Sequence, residues 1–258
     1  MFSPIRKFDF DVDTANIAFE DGYRGKVIYN GESCILISTF VPAGAKGPGN
    51  HTHTSDQIYY VLDGDITIQL GEEVKDVTAG SVIFVPAGVP HHNWNPGDKD
   101  EIHLEILAPG GIIGRPLGDK TTSTDAQGLP YYTECRDLSP FDGENRRMEK
   151  LITRAKGSRQ VEAYVVTEPA GDAGPPLHIH DYDQFYLVLD GSLHVQYALT
   201  THVAHARELV VIPAGVPHRQ WNEGPDFERH LVIHAPGPEQ PHSPEHPWFT
   251  VVDLAAKE

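Results

Sequence analysis

The chain has 258 residues, with 37 acidic and 20 basic side chains and a formal net charge of −17. This negative charge disfavours nucleic acid and anionic membrane surfaces as partners, because both would repel it. The sequence contains no apolar run of membrane-spanning length and no apolar signal core near residue 1, so we expect a cytoplasmic protein. The length suffices for two domains. Cys34 and Cys135 make no disulfide framework, and we expect reduced thiols.

Short segments rich in β-formers, separated by Gly and Pro, follow one another along the first half. Asp63-Gly64-Asp65 is a hairpin signal between two of them. The predicted strands are residues 27–29, 34–41, 58–62, 66–70, 82–85 and 102–107. Residues 110–130 are expected to form a surface connection, and residues 145–155 a short helix. Residues 131–133 and 248–250 resemble each other and predict the same terminal strand in each half.

Three histidines and an amide recur at short spacings in the first half: His51, His53, Gln57 and His91. If residues 51–60 form a strand, alternation places the first three on one face, and the turn at residues 86–90 need only deliver His91. Imidazole nitrogens and an amide oxygen suit a divalent transition metal, and they leave coordination positions open for substrate, water or oxygen. The pattern therefore predicts a metal site.

The same set returns 127 residues later as His178, His180, Gln184 and His218. Pro-Ala-Gly-Val-Pro-His also occurs twice at this offset, each time followed by a Trp-Asn pair. Such self-similarity predicts two copies of one domain. We place the boundary near Leu138, which gives an N-terminal domain of residues 1–138 and a C-terminal domain of residues 139–258.

The copies differ at one turn position, where Gly80 of the first copy is Arg207 in the second. Because glycine adopts a positive φ at little cost, we expect the second copy to turn differently there. Asn95 and Asn222 match each other and are expected to fix the turn after the last histidine of each copy.

The spacing G-x3-H-x-H-x3-Q-x6-G, followed by G-x5-P-x-G-x2-H-x3-N, resembles the two signature motifs of the cupin superfamily. The resemblance covers most of the chain and is weaker over residues 1–30 and in the connection between the copies. It implies an all-β fold of two tandem double-stranded β-helical barrels of the jelly-roll type. It also implies one divalent transition metal per domain, with Fe(II) first and Mn, Ni, Co or Zn as alternatives. The short strands and frequent turns favour the same architecture.

Gln57 and Gln184 stand where most metal-binding cupins have a glutamate. Each could ligate through its neutral side-chain oxygen, which would leave the charge of the ion uncompensated and favour an anionic or chelating substrate. Alternatively, each could hydrogen-bond a bound water in a three-histidine site. An amide cannot shuttle protons, so any general base must come from elsewhere.

Further candidates follow from alternation along the same strands. Tyr59 and Tyr186 share the face of the glutamines and could hydrogen-bond a substrate oxygen, with ordinary core tyrosines as the alternative. His103 and Glu105 share a face of the closing strand and could act as acid or base, with an outward polar face as the alternative. His230 and His234 likewise share a face of the closing strand of the second copy, with the same possible roles and the same alternative.

Two complete ligand sets resemble bicupin enzymes more than bicupin storage proteins. The leading hypothesis is a metal-dependent dioxygenase, similar to quercetinase-like cupins, that cleaves a small enol, diketone or phenolic substrate. The alternative is a metal-dependent isomerase resembling the bicupin isomerase of bacilysin biosynthesis, which moves a double bond without oxygen. A third hypothesis is a small-molecule-binding module with a structural metal. Exposed sheet edges and the resemblance to other cupins favour a homodimer.

Overall fold

The computed structural model describes residues 4–7, 15–110, 132–134, 144–154, 157–238 and 248–253. These residues form β-strands and no α-helix, and so contain no helix able to cross a membrane. The chain divides into two compact units. Residues 10–138 and 152–160 form one, the first barrel, and residues 1–9, 139–151 and 161–258 form the other, the second barrel. The predicted boundary at residues 138 and 139 stays a prediction, because it and most of the connection at residues 110–130 lie outside the described residues.

The first barrel consists of a seven-stranded sheet in the order β11-β8-β5-β10-β4-β3-β2 and a three-stranded sheet in the order β7-β6-β9. Its strands are β2 (Ile17–Ala18), β3 (Arg24–Asn30), β4 (Ile35–Val41), β5 (Asp56–Asp63), β6 (Asp65–Leu70), β7 (Glu73–Thr78), β8 (Ser81–Val85), β9 (His91–Trp94), β10 (Glu101–Ala108) and β11 (Tyr132–Glu134). All described pairings are antiparallel. The hairpin predicted at residues 63–65 is confirmed, with Gly64 at φ 75° between β5 and β6.

The second barrel repeats this arrangement with a six-stranded sheet, β1-β18-β15-β20-β13-β12, and a five-stranded sheet, β17-β16-β19-β14-β21. Its strands are β1 (Ile5–Lys7), β12 (Arg147–Ile152), β13 (Glu162–Glu168), β14 (His178–Ile179), β15 (Asp183–Asp190), β16 (Ser192–Tyr197), β17 (Thr200–His205), β18 (Glu208–Ile212), β19 (His218–Trp221), β20 (Glu228–Ala235) and β21 (Thr250–Val251). The predicted all-β fold of two tandem jelly-roll barrels is confirmed.

Inward-facing side chains of the larger and the smaller sheet form a separate core in each barrel. In the first, Tyr59 and Val61 of β5 pack with Ile66 and Ile68 of β6. In the second, Tyr186 of β15 and its neighbours make the equivalent cluster. Because strand side chains alternate, the residues that precede these apolar positions by two, Gln57 and Gln184, face the same interior.

The predicted strand through residues 51–60 is wrong, because β5 begins only at Asp56. His51 forms an isolated bridge to His91 instead, with mutual backbone hydrogen bonds of 2.8 and 2.9 Å. In the second barrel His178 pairs with His218 in the same way. The chain thus leaves the smaller sheet at the first histidine and enters the larger sheet just before the glutamine. The ligand segment turns the corner between the two sheets, and this brings side chains from both to one place.

Three other expectations are also wrong. Residues 147–152 form the edge strand β12, since their exposed and half-buried residues alternate before a buried end, and pairing with β13 overrides helix propensity. The two similar terminal segments join different edges, β11 on β8 and β21 on β14. Arg207 turns as Gly80 does: their φ values are 70° and 90°. Both backbone N–H groups donate at 2.8 Å to the equivalent carbonyl oxygen, and this bond holds the arginine in the left-handed region.

The turns after the last histidines agree with prediction. The Asn95 amide donates to the carbonyl oxygens of Val41 (3.0 Å) and Lys99 (2.8 Å), and its oxygen accepts from the Gly97 N–H at 2.9 Å. Asn222 makes the same kinds of bond in the second barrel. Each asparagine satisfies backbone groups of a turn that has no sheet partner.

Candidate metal centres

The first barrel gathers the nitrogen atoms of His51, His53 and His91 within 4.8 Å of one another. Backbone carbonyl oxygens accept from two of the rings, Gly49 O from His51 Nδ1 at 2.7 Å and Val89 O from His91 Nδ1 at 2.9 Å. A ring that donates through Nδ1 carries its lone pair on Nε2 when neutral. These Nε2 atoms therefore present lone pairs to the centre of the cluster.

Burial keeps two of these imidazoles neutral. Together with the neighbouring His51, it lowers the pKa of His53 to about 4 and that of His91 to about 3. A neutral imidazole is the form that binds a metal ion, so no proton has to be removed at neutral pH. The cluster has the donor chemistry of a transition-metal site.

Gln57 faces the interior of the same barrel, and one hydrogen bond fixes the orientation of its amide. Its Nε2 donates to Glu105 Oε1 at 2.5 Å. Its Oε1 is buried and has no hydrogen-bond donor among the described residues. Buried acceptors are normally satisfied, so this orphaned oxygen is available as a ligand for a metal ion.

The second barrel contains the equivalent cluster, with the nitrogens of His178, His180 and His218 within 4.8 Å of one another. Burial lowers the pKa of all three rings, that of His218 to about 3. Each Nδ1 again bonds a carbonyl oxygen, Pro176 O at 2.8 Å, Tyr182 O at 2.7 Å and Val216 O at 2.9 Å. All three Nε2 atoms are therefore free to act as acceptors.

The oxygen of Gln184 points into this second cluster. Its Oε1 lies 2.7 Å from His180 Nε2 and 2.8 Å from His218 Nε2, and the two Nε2 atoms are 3.2 Å apart. With both rings protonated at Nδ1, none of these three atoms carries a proton, so they cannot hydrogen-bond one another. Acceptors this close repel each other unless a cation lies among them. The donor set of the second barrel thus fits a divalent metal ion.

A histidine and a tyrosine lie beside the second cluster. His234 Nε2 is 3.0 Å from Gln184 Nε2 and 2.9 Å from the Tyr164 hydroxyl. His234 is 1% exposed, and burial lowers its pKa well below the usual value, with His180 and His218 lowering it further. The amide nitrogen of Gln184 can only donate, so His234 Nε2 is an acceptor in this arrangement, and the Tyr164 hydroxyl donates to it as well.

The remaining predicted residues of the first barrel face inward. His103 is fully buried, with Nδ1 2.9 Å from Glu101 Oε2 and Nε2 4.0 Å from Glu105 Oε2. Burial lowers the pKa of His103, but the Glu101 carboxylate more than offsets this and raises it overall. The alternative of an outward polar face is therefore wrong. Glu105 accepts a hydrogen bond from Gln57, whereas the contact of His103 toward the site is with Glu105.

The two candidate tyrosines lie in the hydrophobic cores of their barrels. Tyr59 is 3% exposed and packs edge-on against His103, with the ring centroids 5.0 Å apart. Tyr186 is fully buried, and its hydroxyl donates to Gln220 Oε1 at 3.1 Å. Burial raises the pKa of both hydroxyls well above 10. Both therefore stay protonated, and their roles as substrate contacts stay predictions.

A pocket of about 390 Å³ adjoins the cluster of the second barrel. Sequence reasoning missed most of its wall: Tyr164, Tyr182, Trp248, Phe249, Arg146 and Lys150. Tyr182 stacks on His180 with ring centroids 4.0 Å apart, and Phe249 packs on His178 at 4.5 Å. One signal was available, because Tyr182 stands where the first copy has Ser55. Tyr164 aligns with Ile37 of the first copy, and the other four residues come from segments that the repeat does not align.

Comparison with known proteins places this geometry in a family. The cupin domain model matches residues 38–109 and 164–234, more than half of the chain. The chain belongs to the cupin family. A solved cupin-2 conserved barrel protein of Leptotrichia buccalis has the same fold, with a TM-score of 0.64 and 13% identity, covering 85% of this cupin and 91% of that chain.

Two curated proteins resemble this cupin in sequence, one over a short segment and the other over a longer segment at lower identity. An uncharacterised protein of Methanocaldococcus jannaschii is 35% identical over 80 residues, 31% of this cupin and 62% of its own length, so this cupin spans less than two thirds of it. The H2HPP isomerase of Bacillus subtilis is 24% identical over 176 residues, 68% of this cupin and 67% of the isomerase.

An enzyme with metal centres has the same fold. The oxalate decarboxylase of Bacillus subtilis, studied for its Mn(II) centres, has a TM-score of 0.63 and 15% identity to this cupin, covering 90% of this chain and 76% of that one. At this identity the likeness concerns the fold alone.

Proposed function

We propose that this cupin is a metal-dependent enzyme whose reaction takes place in the second barrel, on a small anionic carbonyl compound. The observation that carries the proposal is the convergence of three unprotonated Nε2 atoms with Gln184 Oε1 beside a pocket of about 390 Å³. His178, His180, Gln184 and His218 would hold the ion here. In the first barrel the ligands would be His51, His53, Gln57 and His91. A divalent ion supplies Lewis acidity, which lowers the pKa of a C–H bond next to a chelated carbonyl group.

The side chains of the second barrel supply the rest of the chemistry. Three imidazoles and an amide bring no negative charge, so an anionic substrate is favoured electrostatically. The Tyr164 hydroxyl donates to His234 Nε2 at 2.9 Å. When this hydroxyl turns toward the substrate, the freed lone pair of His234 Nε2 accepts the proton that leaves the substrate carbon. Return of the proton from the same nitrogen to another carbon atom moves the double bond. The overall reaction is an isomerisation that consumes no oxidant.

The aromatic wall of the pocket limits the access of water. Tyr182 stacks on His180, and Phe249 packs against His178 at an angle of 47°. Excluding water from the reacting carbon slows protonation at the wrong position. The H2HPP isomerase named above is a relative with compatible chemistry, and it supports the proposal without fixing the substrate.

A dioxygenase is the second candidate. Three histidines and a glutamine would hold the ion, which would supply the chemistry that lets a chelating substrate react with oxygen. The reaction would break a carbon–carbon bond of an enol, diketone or phenolic compound and place both oxygen atoms in the products. Fe(II) would favour this candidate, whereas Mn, Co, Ni or Zn would favour isomerisation.

The test follows deuterium exchange at C3 of 2-oxobutanoate in D2O by NMR, with the metal-loaded protein and an oxygen electrode on the same sample. We expect about two ions per chain, metal-dependent exchange and no oxygen uptake. His178→Ala should lose one ion and at least about 100-fold of the exchange rate. His51→Ala should also lose one ion but lower the rate by a much smaller factor. Oxygen uptake with 2,4-pentanedione would select the dioxygenase. Absence of metal after reconstitution would exclude both enzymes and leave a binding module.

A further inference from the structure

Two cations line the pocket of the second barrel, both from one edge of its larger sheet. Arg146 directly precedes β12, and Lys150 lies within it. They alternate with Arg147 and Glu149, so their side chains share the face that also presents Met148 to the pocket. The two cations have different surroundings, and this difference decides which of them can receive a ligand.

The charge of Arg146 is already compensated. Its guanidinium Nη2 lies 3.0 Å from Glu168 Oε1 and 2.6 Å from Asp172 Oδ1. Glu168 is fully buried and would be left without its cation if Arg146 turned toward a ligand. We therefore regard Arg146 as part of the pocket wall.

Lys150 has no such anchor. Its Nζ lies 4.9 Å from the ring centroid of Trp248, and the described residues provide no ion-pair partner for it. Contact with the face of an indole positions an ammonium group without neutralising it. Lys150 is exposed, so it can also exchange water for a ligand. A cation held on an aromatic ring at the edge of an apolar pocket is suited to bind an anion.

We propose that Lys150 and Trp248 select substrates that carry a second negative group at the end remote from the metal. This inference rests on the proposed function, because it takes the histidine cluster as the place where the chelating oxygens bind. The apolar side chains of Met148, Trp248 and Phe249 line the same pocket as Lys150 and the histidine cluster. The substrate class is therefore a chelating compound with an apolar body and a separate carboxylate or similar anion.

The experiment compares two probes of one shape that differ in this group. 3,4-Dihydroxybenzoate has a chelating diol, an aromatic ring and a carboxylate, and 4-methylcatechol has a methyl group in place of the carboxylate. Their dissociation constants are measured by calorimetry under nitrogen on the zinc-loaded full chain, for the wild type, Lys150→Met and Lys150→Arg. Arg219→Met serves as the matched control, because Arg219 also packs on a tryptophan, 4.7 Å from the Trp221 ring, but does not line the pocket.

We expect Lys150→Met to weaken 3,4-dihydroxybenzoate about fivefold, the effect of one partly exposed ion pair, and 4-methylcatechol by less than about twofold. Lys150→Arg should restore most of the loss, and Arg219→Met should change neither probe. If Lys150→Met weakens both probes equally or neither of them, the inference is overturned and the metal pocket stands. If neither probe binds the zinc-loaded wild type, the proposed function fails together with the inference.

Discussion

The two barrels carry the same ligand set but support it with different side chains. In the first, the amide nitrogen of Gln57 donates to the Glu105 carboxylate. In the second, the amide nitrogen of Gln184 faces His234. The repeat aligns Glu105 with Val232 and His234 with Leu107. The polar partner of the glutamine amide therefore lies one inward-facing position further along the closing strand in the second barrel (β20) than in the first (β10). The histidines of the two clusters occupy equivalent positions.

This displacement changes the charge at the site. A carboxylate next to the ligands offsets part of the charge of a cation, whereas a neutral imidazole does not. The first centre should therefore hold its ion more firmly and activate a bound substrate less. The second should be the stronger Lewis acid and has the Tyr164–His234 pair beside it. On the proposed function, the two barrels would thus divide metal retention and reactivity between them while keeping the same ligand residues.

We expect the largest effect from His234→Leu. This variant removes the partner of Gln184 and gives the second barrel the leucine that the first barrel has at the aligned position, Leu107. Loss of the proton acceptor should lower the C3 exchange rate of 2-oxobutanoate by about 100-fold. The rate is measured at saturating metal, because the Gln184 amide also loses a partner. Tyr164→Phe is the matched variant. It removes the hydroxyl and keeps the imidazole, so its exchange rate should lie between that of the wild type and that of His234→Leu. A His234→Leu rate within threefold of wild type would exclude His234 as the acceptor.

The sequence alone could have predicted the clusters but not this contrast. Alternation placed Gln57 and Gln184 in the interior, and the repeat brought six histidines into two equivalent groups. Whether His103, Glu105 and His234 face the interior depends on the register of the closing strand against β5 or β15. That register is set by packing and by the bulge between Ile102 and His103.

The pocket wall was unpredictable for a second reason. Lys150 and Trp248 are almost 100 residues apart in the chain and lie in segments without a counterpart at the common offset. Residues 147–152 were predicted to be helical because nothing local shows that an edge strand is needed beside β13. Arg207 shows a similar limit, since backbone pairing there overrides the preference of the side chain. Non-local hydrogen bonds decided each of these cases.

Glu105→Val makes the converse change, because valine is the residue of the second barrel at this position. The Gln57 N–H would lose its acceptor, and loss of a group that orients a ligand typically lowers metal affinity by about 10- to 100-fold. We expect this loss at the first centre only, measured by competition with a chromophoric chelator. Glu105→Gln separates the two causes. If orientation matters most, the glutamine oxygen retains affinity within about threefold. If charge matters most, both variants weaken the site equally.

The loops before the first histidines also differ in what holds them. The N–H of Gly47 donates to Asp21 Oδ2 at 2.8 Å, whereas the equivalent Gly174 donates to Asp172. Burial raises the pKa of Asp21, but the N–H groups of Gly47, Tyr23 and Lys46 together lower it below 3.8. A carboxylate with a lowered folded pKa contributes stability above its unfolded pKa and loses it as the pH falls through the folded value.

Asp21→Asn should therefore destabilise the first barrel by about 1 kcal/mol at neutral pH, less than for a buried charged acceptor because Asp21 is exposed. The difference from wild type should shrink as the pH falls below about 4. Urea unfolding at pH 7 and at successive acidic values measures it. Asp98→Asn, in the exposed loop after β9, controls for the change in net charge. A constant difference at all pH values would show that the Asp21 charge has no part in it.

The smallest expected effect concerns another turn at which a glycine of the first barrel has been replaced in the second. Gly71 and Ala198 occupy the same turn, with φ of 58° and 53°. Each N–H donates to a proline carbonyl oxygen at 2.7 Å. A Cβ at Gly71 would meet no atom within 4 Å. The pair therefore isolates the cost of a left-handed backbone from any change in packing.

The left-handed conformation costs an L-residue roughly 1–2 kcal/mol, and glycine gives back part of this through its larger unfolded-state entropy, about 0.4–1 kcal/mol. Ala198→Gly should thus stabilise the second barrel by about 0.5 kcal/mol, or roughly 2 °C in Tm, and Gly71→Ala should destabilise the first by a similar amount. Calorimetry of the metal-loaded chain would resolve both. If the two variants shift Tm in the same direction, the turns are not equivalent, and side-chain packing rather than backbone conformation distinguishes the barrels.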